Sequence, residues 1–231
     1  MKTRGANYFV LRPDLVDRYF LVVTQTKAAL QGTGTLQYIL YGEQLGLHER
    51  ATFASKRLWY SMSLRAPADL ILPCGVGATF FCALNRAGAV ASNSFTEIRL
   101  HESICDRNAI WAWMNSAFAW LHQNTVGRAI LGGGMLKLDP FDYRLLPVAR
   151  PGAMTGAVPV LDRQVGDLSA EIAQPDRRAL DDIIFDVLGL TQGERDAVYE
   201  AVIRLVEQRL SRAESLGGRR RQATEAEEEE G

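Results

Sequence analysis

Hydrophobic and polar positions along the first 100 residues form short apolar segments separated by turns. Proline at Arg12-Pro13 ends the first segment, and Ala66-Pro67-Ala68-Asp69 separates two later ones. Many short segments rich in β-branched and aromatic residues predict a mixed or antiparallel sheet. The candidate strands are Tyr8–Leu11, Leu36–Leu40, Leu58–Leu64, Leu70–Leu72 and Val90–Leu100.

The pattern changes to a helical period after Cys105. Asp106 is placed to cap a helix whose apolar positions recur from Ile110 to Leu121, and Gly127 ends it. This amphipathic helix is expected to pack on the sheet. Beyond it, Gly132-Gly133-Gly134 precedes an alternating strand at Met135–Leu138, then Asp139-Pro140 and one helical turn at Asp142–Leu145.

A second helical region covers residues 176–215. Its apolar stripe from Leu180 to Leu188 ends at Gly189, and Thr191-Gln192-Gly193-Glu194 has the sequence of a capping box for the next helix. Such a hairpin has one apolar face, which must be buried either on the preceding domain or on a separate subunit. The highly charged residues 216–231 cannot bury apolar area and predict a disordered tail.

The predicted fold class is therefore α+β. We expect a mixed or antiparallel sheet domain with a packed helix at residues 1–150, a linker at 151–175, a C-terminal helical hairpin at 176–215 and a disordered charged tail at 216–231.

Composition narrows the function classes. The chain is 47% hydrophobic and 23% charged, which is typical of a globular protein. It has neither an apolar run of membrane-spanning length nor an N-terminal secretory signal, so a soluble, cytoplasmic protein without a membrane partner is expected. Neither the three cysteines (Cys74, Cys82, Cys105) nor the three histidines (His48, His101, His122) have metal-ligand spacing, and the cysteines are expected to be small buried side chains.

The net charge of −1 conceals an asymmetry. Residues 1–150 carry 16 Lys and Arg against 10 Asp and Glu, whereas residues 151–231 carry 10 against 17. A polyanion is therefore expected to meet the first part of the chain. Basic residues near aromatics or glycines are the candidate phosphate contacts: Arg4, Lys56, Arg57, Arg128 and Lys137. Asn7 and Tyr60 are candidates for base-edge or stacking contacts.

Catalytic motifs do not emerge from this sequence. Gly132-Gly133-Gly134 lacks the spacing of a phosphate loop and leads into a strand, so it is interpreted as a glycine-rich turn. Asp139-Pro140-Phe141-Asp142 is followed by Tyr143, not by the glycine-rich turn of a methyltransferase cofactor motif, and no Asn-Pro-Pro-aromatic segment exists to hold a flipped adenine. No catalytic residue, metal or cofactor is predicted on this chain alone.

Five segments resemble the C-terminal target-recognition region of type IIG and related adenine-N6 DNA methyltransferases of restriction-modification systems. The order and spacing of these segments give the resemblance its weight, and the closing glycine-rich signature is its most specific part. The segments are Gly5-Ala6-Asn7-Tyr8-Phe9, Arg57-Leu58-Trp59-Tyr60, Met114-Asn115-Ser116, Gly132–Gly134 with Leu136-Lys137-Leu138 and Leu145-Leu146-Pro147-Val148, and the helix pair from Leu180 to Thr191.

The resemblance implies a DNA sequence-recognition module that is not an enzyme by itself. Its partners would be double-stranded DNA and a separate methyltransferase subunit, and S-adenosylmethionine would bind a catalytic domain that is missing here. Two alternatives stay open: an interaction subunit that docks a methyltransferase through its C-terminal helices, and a fragment of an intact N6-adenine methyltransferase.

Overall fold

The chain folds into two compact units in a computed structural model. One unit, called here the large unit, comprises residues 1–17 and 67–231, and the other, the small unit, comprises residues 18–66. The structure describes residues 7–63, 65–102, 106–129, 134–149, 152–154 and 158–229, with side chains as far as residue 215.

Two short sheets form the β part of the large unit. The strands of the first are β1 (Val10–Leu11), β2 (Leu70–Pro73), β4 (Ala83–Asn85) and β5 (Phe95–Ile98), in the order β1-β4-β2-β5. β1 runs parallel to β4, and the other pairs are antiparallel. The second sheet is antiparallel, in the order β3-β7-β6, and consists of β3 (Gly75–Val76), β6 (Arg128–Ala129) and β7 (Leu136–Lys137).

Six helices complete the large unit, of which α3 and α4 are the central pair. They are α3 (Arg107–Asn115), α4 (Ala117–Val126), α5 (Pro140–Arg144), α6 (Leu168–Ala173), α7 (Pro175–Leu188) and α8 (Gln192–Glu229). α3 contributes Trp111 and Trp113 to a core shared with the first sheet, and the indole nitrogen of Trp111 donates to the carbonyl of Phe9 over 3.1 Å. α4 packs against α8, where Trp120 and Val202 are buried in a second core.

Buried polar groups join these helices to one another. Asp181 of α7 accepts a hydrogen bond from the backbone nitrogen of Ala117 at the start of α4 (2.7 Å) and one from the hydroxyl of Tyr199 in α8 (3.2 Å). Arg177, one turn before Asp181, is fully buried beside it and lies 4.0 Å from the centre of the Trp120 ring. Burial raises the pKa of Asp181 and lowers that of Arg177.

The small unit contains two helices, α1 (Gly34–Gln44) and α2 (Ala51–Ala54), and two 3₁₀ turns, Lys27–Leu30 and Leu47–Glu49. Its core consists of Val23, Leu30, Leu36 and Ile39, with Trp59 and Tyr60 packed against them. A side chain at position 42 would collide with Trp59, because a Cβ added there would lie 2.6 Å from the indole ring. Gly42 thus lets the indole lie directly on α1.

The predicted α+β class is confirmed, as are the strands at Tyr8–Leu11 and Leu70–Leu72 and the hairpin of two C-terminal helices. The predicted boundaries between the two hairpin helices are also confirmed. Gly189 adopts a left-handed conformation (φ 68°) after α7, and Thr191 and Glu194 form the reciprocal hydrogen bonds of a capping box. The apolar stripe of the hairpin is buried within the large unit itself, where Leu180, Phe185 and Val202 are inaccessible to solvent.

Three predictions of secondary structure were wrong. Residues 36–40 belong to helix α1 because Thr33 caps it, accepting from the backbone nitrogen of Leu36, and because Leu36 and Ile39 are buried at helical spacing. Residues 58–63 form turns and irregular chain, not a strand. The predicted single helix after Asp106 is two helices, since Ser116 breaks α3 and caps α4.

The boundaries of the large unit differ from the predicted 1–150 domain, because residues 18–66 form a separate unit and α6 to α8 belong with the strands. Helix α8 continues as backbone to Glu229, beyond the expected start of a tail at 216. Alanine, glutamate, glutamine and arginine there favour helix by intrinsic propensity. Disorder of residues 216–231 stays a prediction about the chain in solution.

Candidate nucleic-acid interface

Arg128 and Lys137 lie directly opposite each other on the β6-β7 ribbon. Both side chains are accessible, at 63% and 51%, so the fold does bring these two predicted phosphate ligands together. However, Asp139 pairs with both of them, and Asp142 lies 3.6 Å from Arg128. A phosphate approaching this ribbon meets two carboxylates as well as two cations, and the local charges cancel.

The glycine-rich turn ends against helix α8. Gly132 and Gly133 lie outside the described residues, and Gly134 has a left-handed backbone (φ 62°). A Cβ at position 134 would lie 3.1 Å from the side chains of Leu210 and Ala213. Arg209 donates hydrogen bonds to the carbonyls of Gly134, Val76 and Gly77. Close packing of backbone on α8 therefore explains a glycine at position 134.

Asn7 lies beside a cavity of about 270 Å³ in the large unit. Its carbonyl accepts a hydrogen bond from the backbone nitrogen of Val165 (2.9 Å). Asn7, Thr79, Phe81 and Phe95 are among the residues that line the cavity. Amide and aromatic groups in one pocket suit a planar polar ligand such as a nucleobase. Arg4, a predicted phosphate contact, lies outside the described residues.

Lys56 and Arg57 are exposed in the small unit. The ammonium nitrogen of Lys56 lies 5.4 Å from the centre of the Phe53 ring. Arg18 and Arg50 of the same unit are exposed as well, and among the described residues no carboxylate pairs with any of these four cations. Such cations can bind a phosphate without first breaking an ion pair to a carboxylate.

Trp59 and Tyr60 are half-buried parts of the small unit's packing. The indole nitrogen of Trp59 donates to Glu43 over 2.9 Å, and Lys27 pairs with the same carboxylate. The hydroxyl of Tyr60 donates to the carbonyl of Gln25 over 3.1 Å. With that hydroxyl engaged, the ring of Tyr60 is the part left for contact with a base.

The charge of the chain is divided between the units. Residues 18–66 contain six Lys and Arg against two Glu, a net charge of +4, which leaves 20 basic and 25 acidic residues, a net charge of −5, for the large unit. Eight described cations of the large unit are held in ion pairs with carboxylates: Arg12, Arg99, Arg107, Arg128, Lys137, Arg163, Arg177 and Arg195. Arg86, Arg144, Arg204 and Arg212 of the same unit are exposed.

The predicted excess of positive charge in residues 1–150 is concentrated in residues 18–66, which was not predicted. A charge count over shorter windows would have found it. The pairing of Arg128 and Lys137 with Asp139 also had a sequence signal, because Asp139 follows Lys137 by two residues and so lies on the same face of an extended chain.

Comparison with known proteins identifies the family. Residues 10–174 match the family described as Type II methyltransferase M.Eco57I, C-terminal domain. The match covers more than half of the chain, so this protein belongs to that family, as the sequence segments indicated. Among curated proteins, none matches the chain.

A solved structure described as the type IIG restriction endonuclease BpuSI has a similar fold. The TM-score is 0.59, with 17% identity over 94% of this chain. The chain spans 26% of the length of that enzyme.

In the part of our chain that is described, no helix combines the length and apolar character needed to cross a membrane.

Proposed function

We propose that this chain is the DNA-recognition module of an adenine-specific methyltransferase in a restriction-modification system, without catalytic activity of its own. The observation that carries the proposal is the net charge of +4 on the small unit, with four exposed cations that no described carboxylate neutralises. Membership in the family of a Type II methyltransferase C-terminal domain supports a role beside a DNA-modifying enzyme.

Phosphate contacts are proposed first for Lys56 and Arg57. Both are exposed, and no carboxylate of a described residue pairs with either, so a phosphate can bind them without breaking an ion pair among those residues. Arg128 and Lys137 are secondary candidates, since Asp139 must give up its ion pairs before a phosphate can bind there. Arg4 stays a proposed phosphate contact.

Base reading is proposed for Asn7 and Tyr60. An asparagine amide can bond bidentately to adenine, and Asn7 lines a cavity together with Phe81 and Phe95. Tyr60 offers its ring for stacking, because its hydroxyl is bound to Gln25. These contacts would select the sequence, whereas the cations would supply most of the affinity.

The salt dependence of duplex binding tests the proposal. For the double variant Lys56→Gln, Arg57→Gln, the slope of log K against log[salt] should become shallower by about 1.8, because each lost phosphate contact removes about 0.9. Binding should be measured by fluorescence anisotropy on a mixed-sequence duplex over a range of salt concentrations. Circular dichroism of the variant should match the wild type, since both side chains are exposed.

Arg204→Gln, Arg212→Gln on α8 is the matched control. It removes the same charge from exposed positions of the net-negative large unit, so the slope should be close to that of the wild type. Equal slopes for the two double variants would contradict the assignment to the small unit. Absence of wild-type binding at low salt, with and without a methyltransferase subunit, would overturn the proposed function itself.

A further inference from the structure

The small unit exposes an unusual share of large apolar side chains. Nine of the thirteen such exposed residues in the described chain lie within residues 18–66, although this unit is about a fifth of the sequence. Tyr19 is 92% accessible, and Tyr38 and Tyr41 of helix α1 are 65% and 55% accessible. Concentrated exposure of this kind marks an interaction surface, since isolated exposed apolar residues are distributed over most proteins.

Helix α1 gives part of this surface a defined geometry. Tyr38, Tyr41 and Leu45 are spaced by three and four residues, so they lie on one side of the helix, called here the tyrosine face. Leu36 and Ile39 occupy the side that is buried in the unit's own core. The tyrosine face therefore lies on the side of α1 away from the buried core of the small unit.

Charge selects the occupant of this face. A compact unit of 49 residues has a radius of gyration of roughly 10 Å, about one Debye length at 0.1 M salt. Arg18, Arg50, Lys56 and Arg57 are exposed on this unit, and its net charge of +4 gives it a positive potential within about a Debye length of these cations. That potential favours a polyanion and opposes a second small unit, which has the same charge of +4.

Among polyanions, a strand with unpaired bases fits better than a closed duplex. Exposed aromatic rings on a positively charged surface are the features that bind single-stranded nucleic acid, because each base can stack on a ring without sequence-specific hydrogen bonds. Bases in an intact duplex have their faces covered by their neighbours. Two tyrosines three residues apart on a helix offer adjacent rings for this purpose.

We infer that the tyrosine face binds unpaired bases of a DNA strand by stacking on Tyr38 and Tyr41. This inference rests on the proposed function and extends it from duplex binding to strand opening. Enzymes that modify a base in a duplex take it out of the helix, which leaves the extruded base and its former partner unpaired. A stacking surface in the recognition module would stabilise that opened state.

Binding of a fluorescent oligothymidylate of about 12 nucleotides tests the inference, since this length lies within the usual site sizes for aromatic single-strand binders. The double variant Tyr38→Leu, Tyr41→Leu keeps apolar helix-forming side chains but removes the rings. It should bind the single strand about tenfold more weakly or worse, because stacking contributes substantially at each base. Tyr38→Phe, Tyr41→Phe retains the rings and should bind within about twofold of the wild type.

Phe141→Leu is the control for loss of an exposed ring elsewhere, because Phe141 is 66% accessible on α5 of the large unit. It should leave single-strand affinity unchanged. Unaltered affinity of the leucine double variant would overturn the inference, as would equal weakening by Phe141→Leu. If the wild type sediments as a dimer and the leucine double variant as a monomer, the tyrosine face binds a second copy of the chain. That result would also overturn the inference.

Comparison with duplex binding separates this inference from the proposed function. If the wild type binds the duplex but not the single strand, only the proposed stacking on the tyrosine face is refuted. Failure to bind either form would refute the proposed function. Helix content of all variants should be checked by circular dichroism, and no loss is expected because both tyrosines are exposed.

Discussion

The difference between Lys56 and Lys137 shows that the neighbours of a basic residue decide what it can bind. Both are exposed lysines close to an aromatic or glycine-rich segment, and the sequence predicts a phosphate contact for each. Lys137 lies 3.5 Å from Asp139, whereas Lys56 has no carboxylate partner among the described side chains. Residue types alone predicted which side chains are cationic, but their partners depend on the strand register and on the start of α5.

Asn115 belongs to a segment that suggested a function, but its role in the fold is structural. In the sequence it lies in the segment Met114-Asn115-Ser116, one of those that resemble the methyltransferase recognition region. In the fold it is fully buried, and its side chain bonds both backbone groups of Cys82, at 2.8 and 2.9 Å. It therefore fixes helix α3 to the strand that begins at Ala83.

Asn115→Ala is expected to lower the free energy of unfolding by about 3 kcal/mol, because two buried backbone groups lose their partners. Asn124→Ala removes one bond to the carbonyl of Trp120 from a half-buried position and should cost less than about 1 kcal/mol. Urea denaturation of both variants measures the difference. Equal costs would show that the bonds to Cys82 contribute nothing specific.

At the scale of elements, helix ends were predictable where capping residues flank a clear apolar period. Gly189 and the Thr191–Glu194 box placed the end of α7 and the start of α8 correctly. Helix α1 was missed because Leu36–Leu40 is a short apolar run that periodicity alone assigns poorly. Thr33, the residue that caps α1, was the available signal. Strand β3 and helix α6 are too short for their patterns to be distinguished from loops.

Glu43 connects the elements of the small unit and makes that unit sensitive to acid. Hydrogen bonds from Lys27 and then Trp59 hold the pKa of Glu43 below its usual value of 4.5. A carboxylate with a depressed folded-state pKa contributes stability that is fully present above the unfolded value and is lost as the pH falls through the lowered pKa. The small unit should therefore lose stability below pH 4.5.

Glu43→Gln keeps an acceptor for Trp59 but removes the titrating charge, so it should weaken this acid dependence. The indole N–H resonance of Trp59 provides the measurement in an NMR pH titration. Glu49→Gln is the control, because Glu49 is 76% accessible and neighbours His48 at 3.7 Å. Acid dependence in Glu43→Gln equal to that of the wild type would exclude Glu43 as its source.

For the whole molecule, the central feature is the separation of charge between two units of the fold. The sequence predicted a basic front and an acidic back, with a boundary at residue 150. The structure instead sets residues 18–66 apart, with a net charge of +4, and joins residues 1–17 to 67–231. That division depends on the parallel pairing of β1 with β4, a long-range contact that local patterns do not reveal.

We therefore expect the small unit to carry the main DNA-binding surface of the proposed methyltransferase recognition module. Ultraviolet crosslinking of the full chain to a duplex, followed by mass spectrometry of the crosslinked peptides, tests this claim most directly. Crosslinks should concentrate in residues 18–66, around Arg18, Arg50, Lys56 and Arg57. Crosslinks confined to residues 67–229, around Arg128 and Lys137, would contradict it.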